Sequence, residues 1–327
     1  WRHAPSKSVP DLYGNGIGLT TNSQQLRGLG DYALEDSDDR YRILCLGDSF
    51  TMGYGVGDED TFPALLSQQH KAIDTINMGL GGYGIGKVLP ALANGERCHV
   101  AAVVSGNPEK AKTVAAAYGL PDDAIYSYED FDRIADDDRV DAVYNVLPTG
   151  LHLEWTEKSF AAGKHVLCEK PMALSVAECE QMIAASEASG KKLMIAYRCH
   201  FEPFNLRAME LMREGAVGKI KTIETAQTYR MGPTSVAENW RVVRALAGGG
   251  PLEDYGIYGL QSALYLSGEM PVSVKAVTEQ PANDPRFAEI FSTVTTEMRF
   301  PSGAVANMVT SYDTTPGRNL ARVEGEG

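Results

Sequence analysis

Between residues 99 and 196, short and continuously apolar runs alternate with stretches of helical periodicity, and this alternation constrains the fold more than any other feature. The runs are His99–Val104, Ala142–Val146, His165–Cys168 and Leu193–Ala196. Helical spacing covers Pro108–Tyr118, Leu153–Ala162 and Val176–Ser189, and a further helix is expected over about Tyr128–Ala135. Strands that alternate with helices make βαβ units and a parallel sheet covered on both faces, so the strands carry few polar positions. After Arg198 the pattern changes. Helices are expected at Phe204–Glu214 and around Ile257–Leu266. The segments Lys219–Gln227, Val272–Thr278, Ser292–Phe300 and Ala304–Ser311 alternate with period two, as strands of a mostly antiparallel sheet with one wet face do.

The 327 residues suggest about two domains. Thirty Lys and Arg against 43 Asp and Glu give a net charge of −13. That balance argues against nucleic acid or an anionic membrane as a partner, because either would be repelled. It leaves room for a small phosphate-bearing ligand at a local site. No run approaches the ~20 apolar residues of a membrane span. Cys45, Cys98, Cys168, Cys179 and Cys199 are odd in number and contain no C-x-x-C pair, so neither a disulfide framework nor a metal site is expected. No signal-peptide pattern stands in the sequence; a soluble protein is expected, and its compartment, cytoplasm or periplasm, is not decided by the sequence.

Gly79-x-Gly81-x-x-Gly84 follows a candidate strand, Ile73–Met78, and precedes a helix expected over about Ile85–Ala93. The first glycine of such a loop makes the turn, the second lets backbone approach a pyrophosphate, and the third lets helix pack on strand. The helix N-terminus then presents free N–H groups to the phosphates. After the next strand, where Asp or Glu reads the ribose of NAD, stand Ser105, Gly106 and, one turn on, Lys110. A hydroxyl with a cation suits a 2′-phosphate, which favours NADP over NAD. An ordinary helix N-cap with a solvated lysine is the alternative. The expected fold class is an α/β Rossmann-type dinucleotide-binding domain followed by an α+β domain with a mostly antiparallel open sheet. The latter is expected to be C-terminally incomplete, since a strand-like run has only begun at Arg322–Gly327.

Cys168-Glu169-Lys170-Pro171 carries a resemblance. With it go the glycine loop, Val104–Lys110, Ala162–Pro171, Tyr197–His200 and the run from Trp240-Arg241 through Gly248–Gly250 to Asp254–Tyr258. From about residue 79 to 327 the chain resembles the glucose–fructose oxidoreductase / inositol dehydrogenase (Gfo/Idh/MocA) family, most of all its glucose–fructose oxidoreductase branch. The resemblance implies hydride transfer between a sugar or polyol carbon and C4 of a nicotinamide. It implies catalytic roles for Lys170, Asp254 and Tyr258, with Tyr258 at the acid/base position. Cofactor contacts are expected from Gly79, Gly81, Gly84, Ser105, Gly106, Lys110, Pro148, His152, Glu169, Lys170, Trp240 and Arg241. Substrate contacts are expected from Arg198, His200, Asp254 and Tyr258. Physically, a carbinol that loses hydride must also lose its hydroxyl proton to a base. Tyrosine, with a pKa of about 10, becomes such a base beside an ammonium such as that of Lys170. Read without the resemblance, Asp254 and Tyr258 are a helix-surface pair. Arg198, His200, Trp240 and Arg241 could equally be structural, and His165 begins a core strand.

The first ~80 residues differ. Leu46-Gly47-Asp48-Ser49 resembles the first block of SGNH (GDSL-like) hydrolases, with Ser49 as nucleophile. A serine nucleophile needs a base, and no histidine of the chain has Asp three positions before it. The expected partition is an SGNH-hydrolase-like fragment over 1–71, a Rossmann domain over 72–197 and an α+β substrate and oligomerisation domain over 198–327. Alternatives to the oxidoreductase are an ester hydrolase using Ser49 and an inactive fusion fragment. A homo-oligomer is expected if the C-terminal sheet is complete enough.

Overall fold

The computed structural model describes residues 8–9, 19–20, 75–78, 89–93 and 98–326. Ser49 and Gly79, Gly81 and Gly84 lie outside the described residues. Ser8–Val9 (β1) pairs antiparallel with Leu19–Thr20 (β2). Thr75–Met78 (β3), Val100–Val104 (β4), Ile125–Tyr126 (β5), Ala142–Asn145 (β6), His165–Glu169 (β7) and Leu193–Ala196 (β8) form one parallel sheet in the order β5-β4-β3-β6-β7-β8. The order reverses at β3, whose last residue, Met78, pairs with Asn145 at the end of β6. In such sheets the crevice beyond this reversal is where ligands bind.

Every residue of β4 is buried, because alternate side chains feed clusters on opposite faces of the sheet. Val103, Tyr144 and Leu167 pack with Leu89, Leu92, Ala111 and Val114. Ala102, Val104 and Val143 pack with Phe131, Ile134 and Trp155. The helix Val176–Ser189 starts at its N-cap Ser175, whose hydroxyl accepts the Glu178 N–H, and stops at left-handed Gly190. The Glu178 carboxylate also accepts the N–H of Leu174, the residue before the N-cap, and ties the incoming chain to the first turn. The helix expected over Tyr128–Ala135 is instead a 3-10 helix, Phe131–Asp136. Upstream, the Ser127 hydroxyl accepts the N–H groups of Glu129 and Asp130 and holds that stretch in a turn.

By contacts the chain divides into two units. One ends at Leu147 and resumes over Leu151–Glu202; the other comprises Pro148–Gly150 and everything from Pro203. In the second unit Ile220–Arg230 (β9), Ser273–Glu279 (β10), Thr293–Arg299 (β11), Val305–Ser311 (β12) and Asp313–Gly325 (β13) form a sheet in the order β10-β11-β12-β9-β13. Only the β12–β9 pair is parallel. The strand-like run expected to begin at Arg322 is the end of β13, which starts at Asp313 and pairs along β9. The helix Ile257–Ser267 covers one face through Ala263, Leu260 and Leu264, packed on Ile223, Met298 and Ala306. Gly259 makes this approach possible, since a Cβ there would collide with Gln227 and lie 2.7 Å from Thr225 Oγ1. All seven residues of β10 are exposed.

Candidate active site

In the first unit the candidate residues gather beyond the ends of β6 and β7. Tyr144, 1% exposed, donates its hydroxyl to the Glu169 carboxylate. The other carboxylate oxygen of Glu169 accepts the Lys170 N–H at 3.0 Å. Glu169, expected at the cofactor, therefore engages the protein itself and fixes the backbone from which the Lys170 side chain extends. The next peptide, Lys170-Pro171, is cis. The Pro171 carbonyl lies 2.9 Å from Nδ1 of His152, whose Nε2 lies 2.8 Å from the Leu147 carbonyl. His152 was also expected at the cofactor. It has no exposed surface, and its ring bridges the loop after β6 and the loop after β7. Burial pushes its pKa down, against the pull of the carbonyl contacts, and the Lys170 charge lowers it further.

Asn145 supports the same corner. Its amide donates to the His152 carbonyl at 3.1 Å, and its oxygen accepts the Leu147 N–H at 3.3 Å. Tyr144 and Asn145 were missed in the sequence because they end an apolar run. The signal available was that Asn145 is fully polar at a position read as core. On the far side of Lys170, Arg198–His200 form a 3-10 turn. Arg198 pairs with Glu202 at 3.5 Å. Burial raises the Cys199 thiol, and the Arg198 and Lys170 charges act against it. The exposed His200 ring stands edge-on to Phe201 at 5.0 Å.

At the end of β4, Ser105 is buried and its hydroxyl accepts the Asn107 N–H at 3.1 Å. Asn107 caps the helix Pro108–Ala117 by accepting the Lys110 N–H. Gly106 lies against Tyr128, whose ring would be 3.1 Å from an added Cβ. The N-cap alternative thus belongs to Asn107, with Ser105 and Lys110 on either side of it.

In the second unit the site grows from Gly248–Gly250 and the helix after it. The Glu253 carboxylate accepts the Gly249 N–H at 2.8 Å, and a Cβ on Gly249 would sit equally close to that oxygen. Leu252–Gly256 forms a π turn before Ile257–Ser267, where the sequence suggested only the α-helix. Pro251 begins it, and the Pro251 carbonyl accepts the Thr310 hydroxyl at 3.0 Å. Single π turns often mark functional segments. This one carries Asp254, one turn before Tyr258. Oδ2 of Asp254 accepts the Tyr312 hydroxyl at 2.7 Å and lies 3.5 Å from Arg241 Nε. Arg241 also stacks over Trp240, with its guanidinium 4.6 Å from the ring centre. Half-buried Tyr258 meets Tyr255 edge-on at 6.1 Å. Tyr255 and Tyr312 both flank Tyr229. Tyr229, Tyr255 and Tyr312 were absent from the sequence-based set, and spacing alone gave no way to pair Tyr312 with a residue 58 positions away. Pro148, Trp240 and Arg241 fall in this unit. Arg241, expected at the cofactor, is engaged with Asp254. Among the described residues no group of three His, Cys, Asp or Glu side chains could hold a metal ion, and no helix is long and apolar enough to cross a membrane.

Residues 76–197 match the model of an oxidoreductase family with an NAD-binding Rossmann fold, and residues 205–327 match a GFO/IDH/MocA C-terminal domain. The chain is 32% identical to D-xylose 1-dehydrogenase (NADP(+)) 2 of Haloferax volcanii, over 72% of this chain and 69% of the relative. It belongs to the Gfo/Idh/MocA family. A D-xylose 1-dehydrogenase [NADP(+)] of Haloarcula marismortui is 35% identical over 61% of this chain, which spans 55% of that relative's length. Among solved structures, an aldose–aldose oxidoreductase from Caulobacter crescentus, complexed with glycerol, is 47% identical. Its TM-score is 0.73, and the match covers 77% of this chain and 73% of that one. The family regions begin at residue 76, and nothing in these matches supports the hydrolase resemblance of the first ~80 residues.

Proposed function

We propose that the chain oxidises an aldose or related polyol at a CH–OH carbon, with NADP as hydride acceptor. The observation that carries this reading is the 47% identity to the aldose–aldose oxidoreductase. The NADP-dependent xylose dehydrogenases support the choice of cofactor. Ser105 directly after β4 and Lys110 in the first turn of a capped helix fit the extra phosphate, because neither carries the negative charge that would repel it. Gly79, Gly81 and Gly84 would cradle the pyrophosphate. When bound, NADP+ supplies the nicotinamide C4 that takes the hydride.

The chain's own residues supply the rest. Tyr258 takes the hydroxyl proton as the C–H bond breaks, leaving a carbonyl and one released proton. The Lys170 ammonium donates to the reacting oxygen, and the anchored Glu169–Pro171 turn fixes where that ammonium originates. Asp254 accepts a hydrogen bond from a neighbouring sugar hydroxyl. Arg198 and His200 are further substrate contacts in this reading. Absorbance at 340 nm with NADP+ and a panel of aldoses tests it. Reduced nicotinamide should form, and Lys170→Ala should lower kcat by about 10³-fold, as loss of an electrostatic donor does. No turnover with any aldose, or undiminished turnover in Lys170→Ala, contradicts the proposal.

A further inference from the structure

Asp254 receives two contacts on the same oxygen, and they differ in rigidity. The Arg241 side chain is 40% exposed and its Nε stands 3.5 Å away, so it can swing with little cost. Tyr312 has no exposed surface. Its ring packs with Met231, Val242, Phe287 and Ile290. Its N–H donates to the Ser292 carbonyl at 2.9 Å, and its own carbonyl accepts the Met231 N–H at 2.7 Å. Backbone and ring are thus both pinned, and the hydroxyl ends at a fixed point 2.7 Å from Asp254 Oδ2. The titratable and charged groups that face this hydroxyl are Asp254, Tyr229 and Arg241. Burial, then the Asp254 charge, push the phenol pKa far above its ordinary value, so the hydroxyl is a permanent donor.

We infer that Tyr312 is a positioning residue: it sets the orientation of the Asp254 carboxylate and holds it ionised, and Arg241 adjusts around it. The inference rests on the reading of Asp254 as a substrate-binding group. A donor fixed by the core can define where a carboxylate points, which an exposed guanidinium on a flexible stem cannot. Tyr312→Phe removes one oxygen and leaves the ring, so no cavity opens. A hydrogen bond to a charged group is worth a factor of about 10 to 100. The variant should lose roughly tenfold in kcat/KM for the aldose while its Kd for NADPH changes less than about twofold. Losing a hydrogen bond to the charged form favours the protonated carboxyl, so the acid limb of the kcat/KM profile should move to higher pH. In an Asp254→Asn background, where the acceptor is neutral, the same change should cost much less, because the two act as one unit.

The experiment compares the full-length parent, Tyr312→Phe, Asp254→Asn and the double variant, by kinetics from pH 4 to 9 and by carbon NMR of labelled aspartate carboxyls. An upward displacement of the Asp254 titration in Tyr312→Phe, with non-additive kinetics, supports the inference. An unchanged titration and acid limb, or additive losses, overturn it. If the parent turns over no aldose, the proposed function fails, and the carboxyl titration alone decides the role of Tyr312. Should Tyr312→Phe fail to fold, proton NMR of the parent and Asp254→Asn decides. The parent should show a slowly exchanging, downfield phenolic proton that moves upfield on removal of the charge; its absence overturns the inference.

Discussion

Lys170 and Asp254 are each held by a buried tyrosine, but at different points along their side chains. In the first unit Tyr144 acts at two removes: its hydroxyl fixes Glu169, and Glu169 fixes the Lys170 N–H. In the second unit Tyr312 meets the Asp254 carboxylate itself. The difference follows from side-chain length. A lysine carries four methylenes, so placing its ammonium begins with placing its backbone. Aspartate has a single methylene, so one fixed donor on its oxygen sets its orientation. The parallel unit therefore directs buried polar groups at main chain, as His152 and Asn145 also show, and the antiparallel unit directs one at a side-chain carboxylate.

The largest test of this contrast is His152→Ala. It leaves a buried space and removes the one ring N–H of the neutral imidazole from the carbonyl that accepts it, and should cost about 3–5 kcal/mol in the first unit by thermal or urea unfolding. A loss below about 1 kcal/mol would show that the Leu147 and Pro171 loops do not depend on the ring. Gly256→Ala probes the other unit. A Cβ there would lie 2.8 Å from Thr310 Cγ2, so the π turn must lift from β12, at about 2 kcal/mol. The aldose KM should rise with it, because Asp254 moves away from Tyr312. Tyr144→Phe should cost about 1.5 kcal/mol and lower kcat more than it raises KM, since it loosens the Lys170 turn. If it instead raised KM alone, the contrast between the units would be lost.

The smallest effect lies away from both sites. Asp137 accepts the Tyr126 hydroxyl at 2.6 Å and Arg139 Nη2 at 2.8 Å. Burial by itself would raise the carboxyl, but the Arg139 and Tyr126 hydrogen bonds outweigh it and hold the pKa at about 2. A depressed carboxyl stabilises the fold above its unfolded value of about 3.9, and that contribution disappears as pH falls through about 2. Asp137→Asn should therefore cost about 1 kcal/mol at pH 7, and progressively less below pH 4, in denaturant unfolding followed across pH.

Much of the parallel sheet was legible, because the determinants were local. Ser175 and Gly190 bound Val176–Ser189, and Leu193–Ala196 is a short apolar run between polar neighbours. The 3-10 helix Phe131–Asp136 was not legible, since the Ser127 hydroxyl competes for N–H groups that a helix pattern assigns to carbonyls. The candidates Lys170, Asp254 and Tyr258 came from motif resemblance. Their supports did not. Tyr144, Tyr312 and Asn145 sit in or directly after strands, where a hydroxyl or amide reads as one more core position. The internal contacts of His152 with the Leu147 and Pro171 carbonyls, and of Glu169 with the Tyr144 hydroxyl, join residues too far apart in sequence for spacing to reveal.

A direct measure of the central claim is a titration of the full-length chain with NADPH and, separately, NADH, followed by nicotinamide fluorescence. The account predicts saturable binding of NADPH at least about tenfold tighter than NADH, a preference that Lys110→Glu removes by setting a carboxylate against the extra phosphate. No binding of NADPH at near-millimolar concentration, or equal affinity for the two, would contradict it.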